Sequence, residues 1–338
     1  MKKYFLTSAK VALVLVYLVI FAGAFVRLTG SGMGCPDWPK CFGYYIPPTE
    51  KKELLFTPNR DYEKGQVIIK DETLLVVKSD FHSKANFETT NWEKYTKHDY
   101  AIFNPIHTWV EYINRLLGAL AGIFCLSTFI FSFGYWKKKK QLIFLSLLIC
   151  VLMGFQAWIG KTVVDSVLNP IKISLHMLTA LLIISLQIYS INSVQLKEKW
   201  IKFDAKFNKT LLFALLLTLF QILLGTSVRE HVDLISESGA PKILWLQNPT
   251  ITFYIHRTFS ILVLLTNLYV WNRNRSLILN FQKINWLLYI IGIEIFTGIL
   301  MFYFHFPFGT QTIHVVLATL LFGIQFYLFL RSLKKEKI

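Results

Sequence analysis

Five polar residues stand inside long apolar stretches of the sequence and are the first candidates for chemistry. They are Glu111, Asn114, His176, His256 and His314. A polar side chain in a lipid-embedded helix is costly unless it meets a partner or lines a cavity. Imidazoles ligate metal ions, and carboxyl groups give and take protons. These residue types therefore predict a buried site that combines metal ligation with proton transfer.

The histidines occupy matching places in two similar halves of the chain. The segment 111–122 (EYINRLLGALAG) aligns with 253–264 (FYIHRTFSILVL), and 174–183 (SLHMLTALLI) aligns with 312–321 (TIHVVLATLL). His256 and His314 then come from the second and fourth helix of their half. Haem iron takes axial imidazoles from facing helices in this way. We predict that His256 and His314 ligate one haem; interhelical hydrogen bonding is the alternative.

The first half differs from the second at two of these positions. Glu111 and Asn114 stand where the second half has Phe253 and His256. Residues at i and i+3 share a helix face, so the acid lies beside the missing ligand. This asymmetry favours a reacting site in the first half, with His176 as metal ligand and Glu111 handling protons. A structural hydrogen bond from Glu111 to a neighbouring helix is the alternative.

His107 is a second candidate for the missing ligand. It precedes Asn114 by seven residues, on the same helix face but about 10 Å nearer the outer surface. Either the first-half site has His176 as its only protein ligand, or its haem lies higher and recruits His107.

Four arginines lie close to these positions. Arg115 and Arg257 each follow a member of the pairs, and Arg27 and Arg229 stand at the outer ends of two spans. A guanidinium group is suited to haem propionates. The alternatives are carbonyl or carboxylate partners for Arg115 and Arg257, and snorkelling to the membrane surface for Arg27 and Arg229.

The composition indicates a membrane protein that carries these residues on helices. Of 338 residues, 54% are hydrophobic, and the apolar residues lie in blocks. Eight blocks are long enough to span a hydrocarbon core, which needs about 20 apolar residues. They cover about 10–28, 107–133, 141–163, 170–193, 208–227, 250–271, 286–304 and 310–332. We interpret the first block as a span and not as a signal peptide.

The basic segments set the predicted topology. They are MKK at the start, 137–140, 197–206, 273–275 and the final RSLKKEKI. All fall on one side of an eight-span protein, which predicts two cytoplasmic termini and an external loop at 29–106. The net charge of +16 is then mainly an orientation signal, and nucleic-acid binding is disfavoured.

The internal repeat predicts the domain organisation. Residues 1–200 and 201–338 should each form a four-helix half, giving two pseudo-symmetric bundles related by an axis along the membrane normal. Asn-Pro pairs at 104–105, 169–170 and 248–249, and Phe-Pro at 306–307, are expected to start the four inward-running helices.

Two cysteines stand close together in the predicted external loop. Cys35 and Cys41 fall within RLTGSGMGCPDWPKC (27–41), in a compartment where disulfides persist. They are either a structural staple or a redox pair. Zinc is disfavoured because the neighbourhood supplies no further ligands.

A family resemblance rests on the segments RLTGSGMGCPDWPKC and EYINR, on His176, His256-Arg257 and His314, and on eight spans in two repeats. With these features the chain resembles the haem A synthase family. The resemblance implies an oxidoreductase that oxidises a ring methyl of haem O to the formyl group of haem A, for terminal oxidase biogenesis. It also implies haem b on His256 and His314, substrate haem near His176, and essential roles for Glu111 and the cysteine pair. The family's Glu-x-x-His-Arg motif has Asn114 here in place of histidine.

The resemblance also carries expectations about place and partners. It implies a bacterial cytoplasmic (inner) membrane, and the aromatic and charged residues of the external loop are compatible with docking of a haem O synthase or an oxidase assembly protein. The sequence leaves open whether the chain forms a homo-oligomer. Two other functions stay open. An electron-carrying membrane cytochrome b predicts two firmly held haems, and a non-catalytic haem-carrying assembly factor predicts exchangeable haem without a product.

Overall fold

The computed structural model of the chain describes residues 1–97, 102–195 and 203–333. It contains eight helices that are long and apolar enough to cross a membrane. They are α1 Lys2–Leu28, α2 Pro105–Ser132, α3 Lys140–Asp165, α4 Pro170–Val194, α5 Ala205–Glu237, α6 Ile251–Ser276, α7 Asn285–Tyr303 and α8 Thr310–Ser332. The prediction of an all-α membrane protein with eight spans is confirmed. Two of the basic segments, 197–206 and the C-terminus, lie partly outside the described residues.

The helices pack as two sets of four. In the first half α1 and α3 each contact both α2 and α4, and in the second half α5 and α7 each contact both α6 and α8. The halves meet where α8 contacts α1 and α4, and where α4 contacts α5. Val16, Ile184 and Phe322 belong to one buried cluster at this junction, so the halves share a hydrophobic core. The pseudo-symmetry axis and the boundary at residue 200 stay predictions.

Two of the four expected helix starts are found. α2 and α4 begin at proline, and the preceding Asn104 and Asn169 side chains each accept two backbone N–H groups. The other two expectations are wrong. α6 begins only at Ile251, and α8 begins at Thr310 after Gly309, whose φ of 85° places it in the left-handed region. The chain is still turning there, because the Pro307 carbonyl accepts from the Thr310 N–H and hydroxyl.

In the part of the chain that the structure describes, the segment between α1 and α2 contains five short strands. They are β1 Asp61–Tyr62, β2 Val67–Lys70, β3 Thr73–Val77, β4 Phe81–His82 and β5 Trp92–Lys94. β1 pairs with β4, and a second antiparallel sheet has the order β2-β3-β5. Tyr62, Ile68, Val77 and Trp92 form a buried cluster of their own. This segment is therefore a folded unit above the helices.

Candidate functional site

The imidazoles of His256 and His314 face each other in the second half. Their ring centroids lie 6.3 Å apart, and the ring planes are inclined by 65°. A metal ion bound by both rings would have two metal–nitrogen bonds of about 2 Å, and each nitrogen lies about 1 Å from its ring centre. The two ring centroids would then be about 6 Å apart. The gap therefore fits one metal ion between the rings. Among the described residues no three His, Cys, Asp or Glu side chains cluster as a metal site.

His314 is oriented by two side chains of α7. Its Nδ1 lies 2.8 Å from Glu294 Oε2 and 2.9 Å from Thr297 Oγ1. The Thr297 hydroxyl donates to the Glu294 carbonyl, so both side chains can accept the Nδ1–H of the imidazole. This arrangement leaves the Nε2 lone pair free for a metal. Glu294 was missed in the sequence analysis, although it is an acid inside the seventh apolar block.

A glycine lies opposite each of four candidate site residues on the even-numbered helices. A Cβ built on the glycine would lie 3.3 to 3.9 Å from the facing side chain. The pairs are Gly23 with Asn114, Gly160 with His176, Gly225 with His256, and Gly298 with His314. Each glycine lies on the preceding odd-numbered helix, so the side chain packs directly against a helix backbone. The sequence analysis did not identify these contacts.

The residue four positions before each glycine lies on the same odd-numbered helix, one turn earlier. In chain order these residues are Val19, Gln156, Gln221 and Glu294. Gln156 Nε2 donates to the His176 carbonyl at 2.9 Å, and Gln221 Nε2 donates to the His256 carbonyl at 2.7 Å. The α1–α2 hairpin differs from the other three, because it has an apolar residue at this position and asparagine in place of histidine.

Several polar atoms at these positions are buried without a hydrogen-bond partner among the described residues. They include Nδ1 of His176, Nδ1 of His256 and Oδ1 of Asn114. Leaving a buried polar atom unpaired costs about 1–3 kcal/mol. Such atoms are uncommon in native proteins and are expected where a site receives a ligand.

Glu111 connects α2 to the segment from Cys35 to Cys41, called the cysteine loop below. Its side chain is buried, with Oε2 accepting the Cys35 N–H at 2.9 Å and Oε1 accepting from Arg115 at 2.5 Å. Arg115 also donates to the carbonyls of Asp37 and Lys40. The contacts of Arg115 therefore correspond to the carbonyl and carboxylate alternative. The acid and the loop form one hydrogen-bonded unit.

The cysteine loop is closed by a disulfide between Cys35 and Cys41. Inside it, the Asp37 carboxylate accepts the N–H groups of Phe42 at 2.5 Å and Gly43 at 2.8 Å. Burial raises the pKa of Asp37, while these two bonds and the nearby Arg115 act in the opposite direction. Asp37 therefore stabilises the loop through its own hydrogen bonds to Phe42 and Gly43, and Arg115 joins the loop to α2.

His107 lies in the first turn of α2, two turns above Asn114. The backbone of Gly34 packs against it so closely that an added Cβ would lie 2.5 Å from the His107 carbonyl. The structure does not bring His107 to the level of Asn114. Its ligation of the substrate haem stays a prediction.

The other arginines have distinct surroundings. Arg257 is exposed, with its guanidinium 5.3 Å from the ring centre of Tyr254. Arg27 and Arg229 share one carboxylate, because Arg27 Nε lies 2.8 Å and Arg229 Nη2 lies 2.7 Å from Asp233. The sequence analysis did not foresee Asp233 as this common partner.

Comparison with known proteins identifies the family of the chain. The sequence model of the cytochrome oxidase assembly protein family (COX15-CtaA) matches residues 7–81 and 75–326. A "Heme A synthase" of Ehrlichia canis (strain Jake) is 28% identical over 337 residues, 93% of this chain and 88% of the relative. A "Heme A synthase" of Wolbachia pipientis wMel is 24% identical over 353 residues, 96% of this chain and 91% of the relative. The chain belongs to the COX15-CtaA family of cytochrome oxidase assembly proteins.

Proposed function

We propose that this chain is a haem A synthase, an oxidoreductase that oxidises a ring methyl of haem O to the formyl group of haem A. The family match and the names of the relatives support this function. The single observation that carries it is the asymmetry between the halves. Two imidazoles at 6.3 Å fit a fixed haem in the second half, and a buried acid replaces Phe253 at the equivalent position of the first.

The second half holds haem b as a resident cofactor. His256 and His314 would hold it, and the contact with Glu294 would keep Nε2 of His314 available for ligation. When bound, haem b supplies one-electron transfer. The packing of Gly225 against His256 leaves no side chain between that ring and the α5 backbone.

The first half binds haem O as substrate. His176 is its ligand, and Asn114 stands where the second imidazole would be. Glu111 handles protons close to the reacting methyl, while Arg115 and the Cys35 N–H keep its carboxyl group in one orientation. The disulfide loop above α2 restricts the approach of water to that acid.

The protein resides in a bacterial cytoplasmic membrane with both termini on the cytoplasmic side. The basic segments 137–140 and 273–275 support this orientation, as does a disulfide on the opposite side. The substrate would come from a haem O synthase, and the product would go to terminal oxidase assembly.

Asn114 favours a second candidate, a haem-carrying assembly factor without catalytic activity. Both functions are tested by co-expressing the chain with a haem O synthase and analysing the extracted haems by chromatography and mass spectrometry. We expect haem A and haem b from the wild type, and haem b without haem A from Glu111→Gln. The exposed acid Glu63 provides the matched control, and Glu63→Gln should keep haem A.

His314→Ala should lose haem b, which distinguishes the two halves. Haem b with unconverted haem O in a folded wild type would overturn the synthase and favour the carrier. Two firmly held haems b and no haem O would favour an electron-carrying cytochrome b.

A further inference from the structure

Glu294 and Gln156 occupy equivalent places in the two halves. Glu294 precedes His314 by 20 residues and Gln156 precedes His176 by 20 residues, and a glycine follows each of them by four residues. Both side chains reach the histidine of the next helix. The comparison therefore isolates one difference between the halves, a carboxylate against an amide.

The two side chains contact different atoms of their histidines. Glu294 Oε2 lies 2.8 Å from the ring nitrogen Nδ1 of His314. Gln156 instead donates to the backbone carbonyl of His176, and the His176 Nδ1 has no hydrogen-bond partner among the described residues. Of these two imidazoles, that of His314 has a carboxylate as hydrogen-bond acceptor at Nδ1 and that of His176 does not.

The surroundings of Glu294 make this contact specific. The Glu294 side chain is 14% exposed, and among the described residues its one ion-pair partner is His314. Its other oxygen, Oε1, has no hydrogen-bond partner there. The carboxylate is therefore directed at the imidazole and is not part of a wider ion-pair network.

We propose that Glu294 is a positioning residue that fixes His314 as an axial ligand, strengthens retention of haem b and lowers its reduction potential. The inference rests on the proposed function. A carboxylate that accepts Nδ1–H makes the opposite nitrogen more electron-donating, which favours the ferric over the ferrous iron. The first half has Gln156 instead, so its haem is held less firmly and can exchange as substrate and product.

The test compares wild-type protein with Glu294→Gln, purified with its haem from the membrane. Outer-shell partners of this kind contribute about 10–100-fold to metal affinity, so we expect haem b to dissociate that much more readily from the variant. The midpoint potential of the remaining haem b should rise, measured by optical redox titration. The change from Glu to Gln conserves shape, so a folding defect is not expected.

Gln156→Ala is the matched control, because it removes the equivalent side chain of the first half. It should leave the potential of haem b unchanged. Thr297→Val removes the other acceptor of the His314 ring and should raise the potential less than Glu294→Gln. This second variant also keeps the proposal testable if Glu294→Gln fails to fold.

The outcomes separate the inference from the proposed function. Haem b bound to Glu294→Gln with wild-type potential and wild-type retention would overturn the role of Glu294 and leave the synthase function intact. A folded wild type without haem b would overturn the proposed function and this inference together.

Discussion

Asn114 is the single residue that most clearly separates the two halves. It faces Gly23 as His256 faces Gly225, so at both positions the side chain has a glycine opposite it. We therefore expect Asn114→His to fit without rearrangement and to create a second site with two imidazoles. The haem content of the purified protein should rise towards about two per chain, and the first-half haem should exchange more slowly. An unchanged haem ratio in a folded variant would contradict the equivalence of the two positions.

Gly34 is the residue on which the docking of the cysteine loop depends. An added Cβ would lie 2.5 Å from the His107 carbonyl carbon and 2.8 Å from the Thr108 nitrogen, and neither backbone can yield. Overpacking of this kind costs about 1–3 kcal/mol. We expect Gly34→Ala to lower the thermal unfolding temperature in detergent and to make the disulfide more accessible to reductants.

Gly118 on α2 serves as the control for that substitution. A Cβ there meets no atom within 4 Å, so Gly118→Ala should leave the unfolding temperature unchanged or raise it slightly. Equal effects of the two substitutions would show that the contact between Gly34 and α2 is unimportant.

Single residues were predictable from the sequence where they violate the apolar pattern. Glu111 and the three histidines were identified because polar groups inside spans need a reason. Glu294 meets the same criterion, but its equivalent in the first half is the neutral Gln156, so the comparison of the repeats did not point to an acid there. The glycine contacts and the carbonyl partners of Arg115 depend on distances between helices, which the pattern of one chain does not contain.

For individual helices, Asp204 shows how one residue both starts a helix and joins it to its neighbour. Its side chain accepts the Phe207 N–H at 2.6 Å as the N-cap of α5 and binds Arg273 of α6 at 2.7 and 2.8 Å. The hydrogen bond from Arg273 holds the pKa of Asp204 below its usual value. This contribution to stability is present above the unfolded-state pKa of about 4 and is lost as the pH falls through the lower folded-state pKa.

Two substitutions of Asp204 separate its roles. Asp204→Ala removes the cap and the ion pair, and loss of the cap alone costs about 1 kcal/mol. Asp204→Asn keeps a good N-cap and should lose mainly the pH-dependent part of the stabilisation. Thermal unfolding between pH 3 and pH 7 should therefore show a smaller pH dependence for both variants than for the wild type. Identical pH profiles in all three proteins would contradict the ion pair.

Helix positions followed from hydropathy, but helix ends did not. α1 begins at Lys2, eight residues before the predicted block, and α5 continues to Glu237, ten residues past it. A helix continues into the aqueous layer as long as its backbone bonds are satisfied, whereas an apolar block ends with the hydrocarbon. The Asn-Pro signal was correct at α2 and α4, where asparagine supplies the cap. It failed at α6, where Thr250 precedes the first helical residue and makes no side-chain cap bond.

For the chain as a whole, the relation between the halves is set by apolar packing together with a charged cluster near the C-terminal ends of α1 and α5. Repeat-equivalent arginines, Arg27 of α1 and Arg229 of α5, converge on Asp233. Arg229 also contacts Gln311 at the start of α8. The sequence analysis identified the two arginines at the ends of their spans. It did not predict Asp233, because the matching segment of the first half leaves the helix and enters the cysteine loop.

This cluster predicts an order of effects on stability. Asp233→Asn leaves two partly buried arginines without a counter-charge, whereas Arg27→Gln leaves Asp233 still paired with Arg229. A buried pair that loses one partner costs about 3–5 kcal/mol, and side chains that are 20–28% exposed should fall below that range. We expect a loss of about 1–3 kcal/mol for Asp233→Asn and a smaller loss for Arg27→Gln, measured by thermal unfolding in detergent at equal pH and salt.

Because Asp233 links α1 to α5, the double variant should cost less than the sum of the two single variants. Additive losses, or a larger loss for Arg27→Gln, would mean that the two halves do not depend on this shared carboxylate.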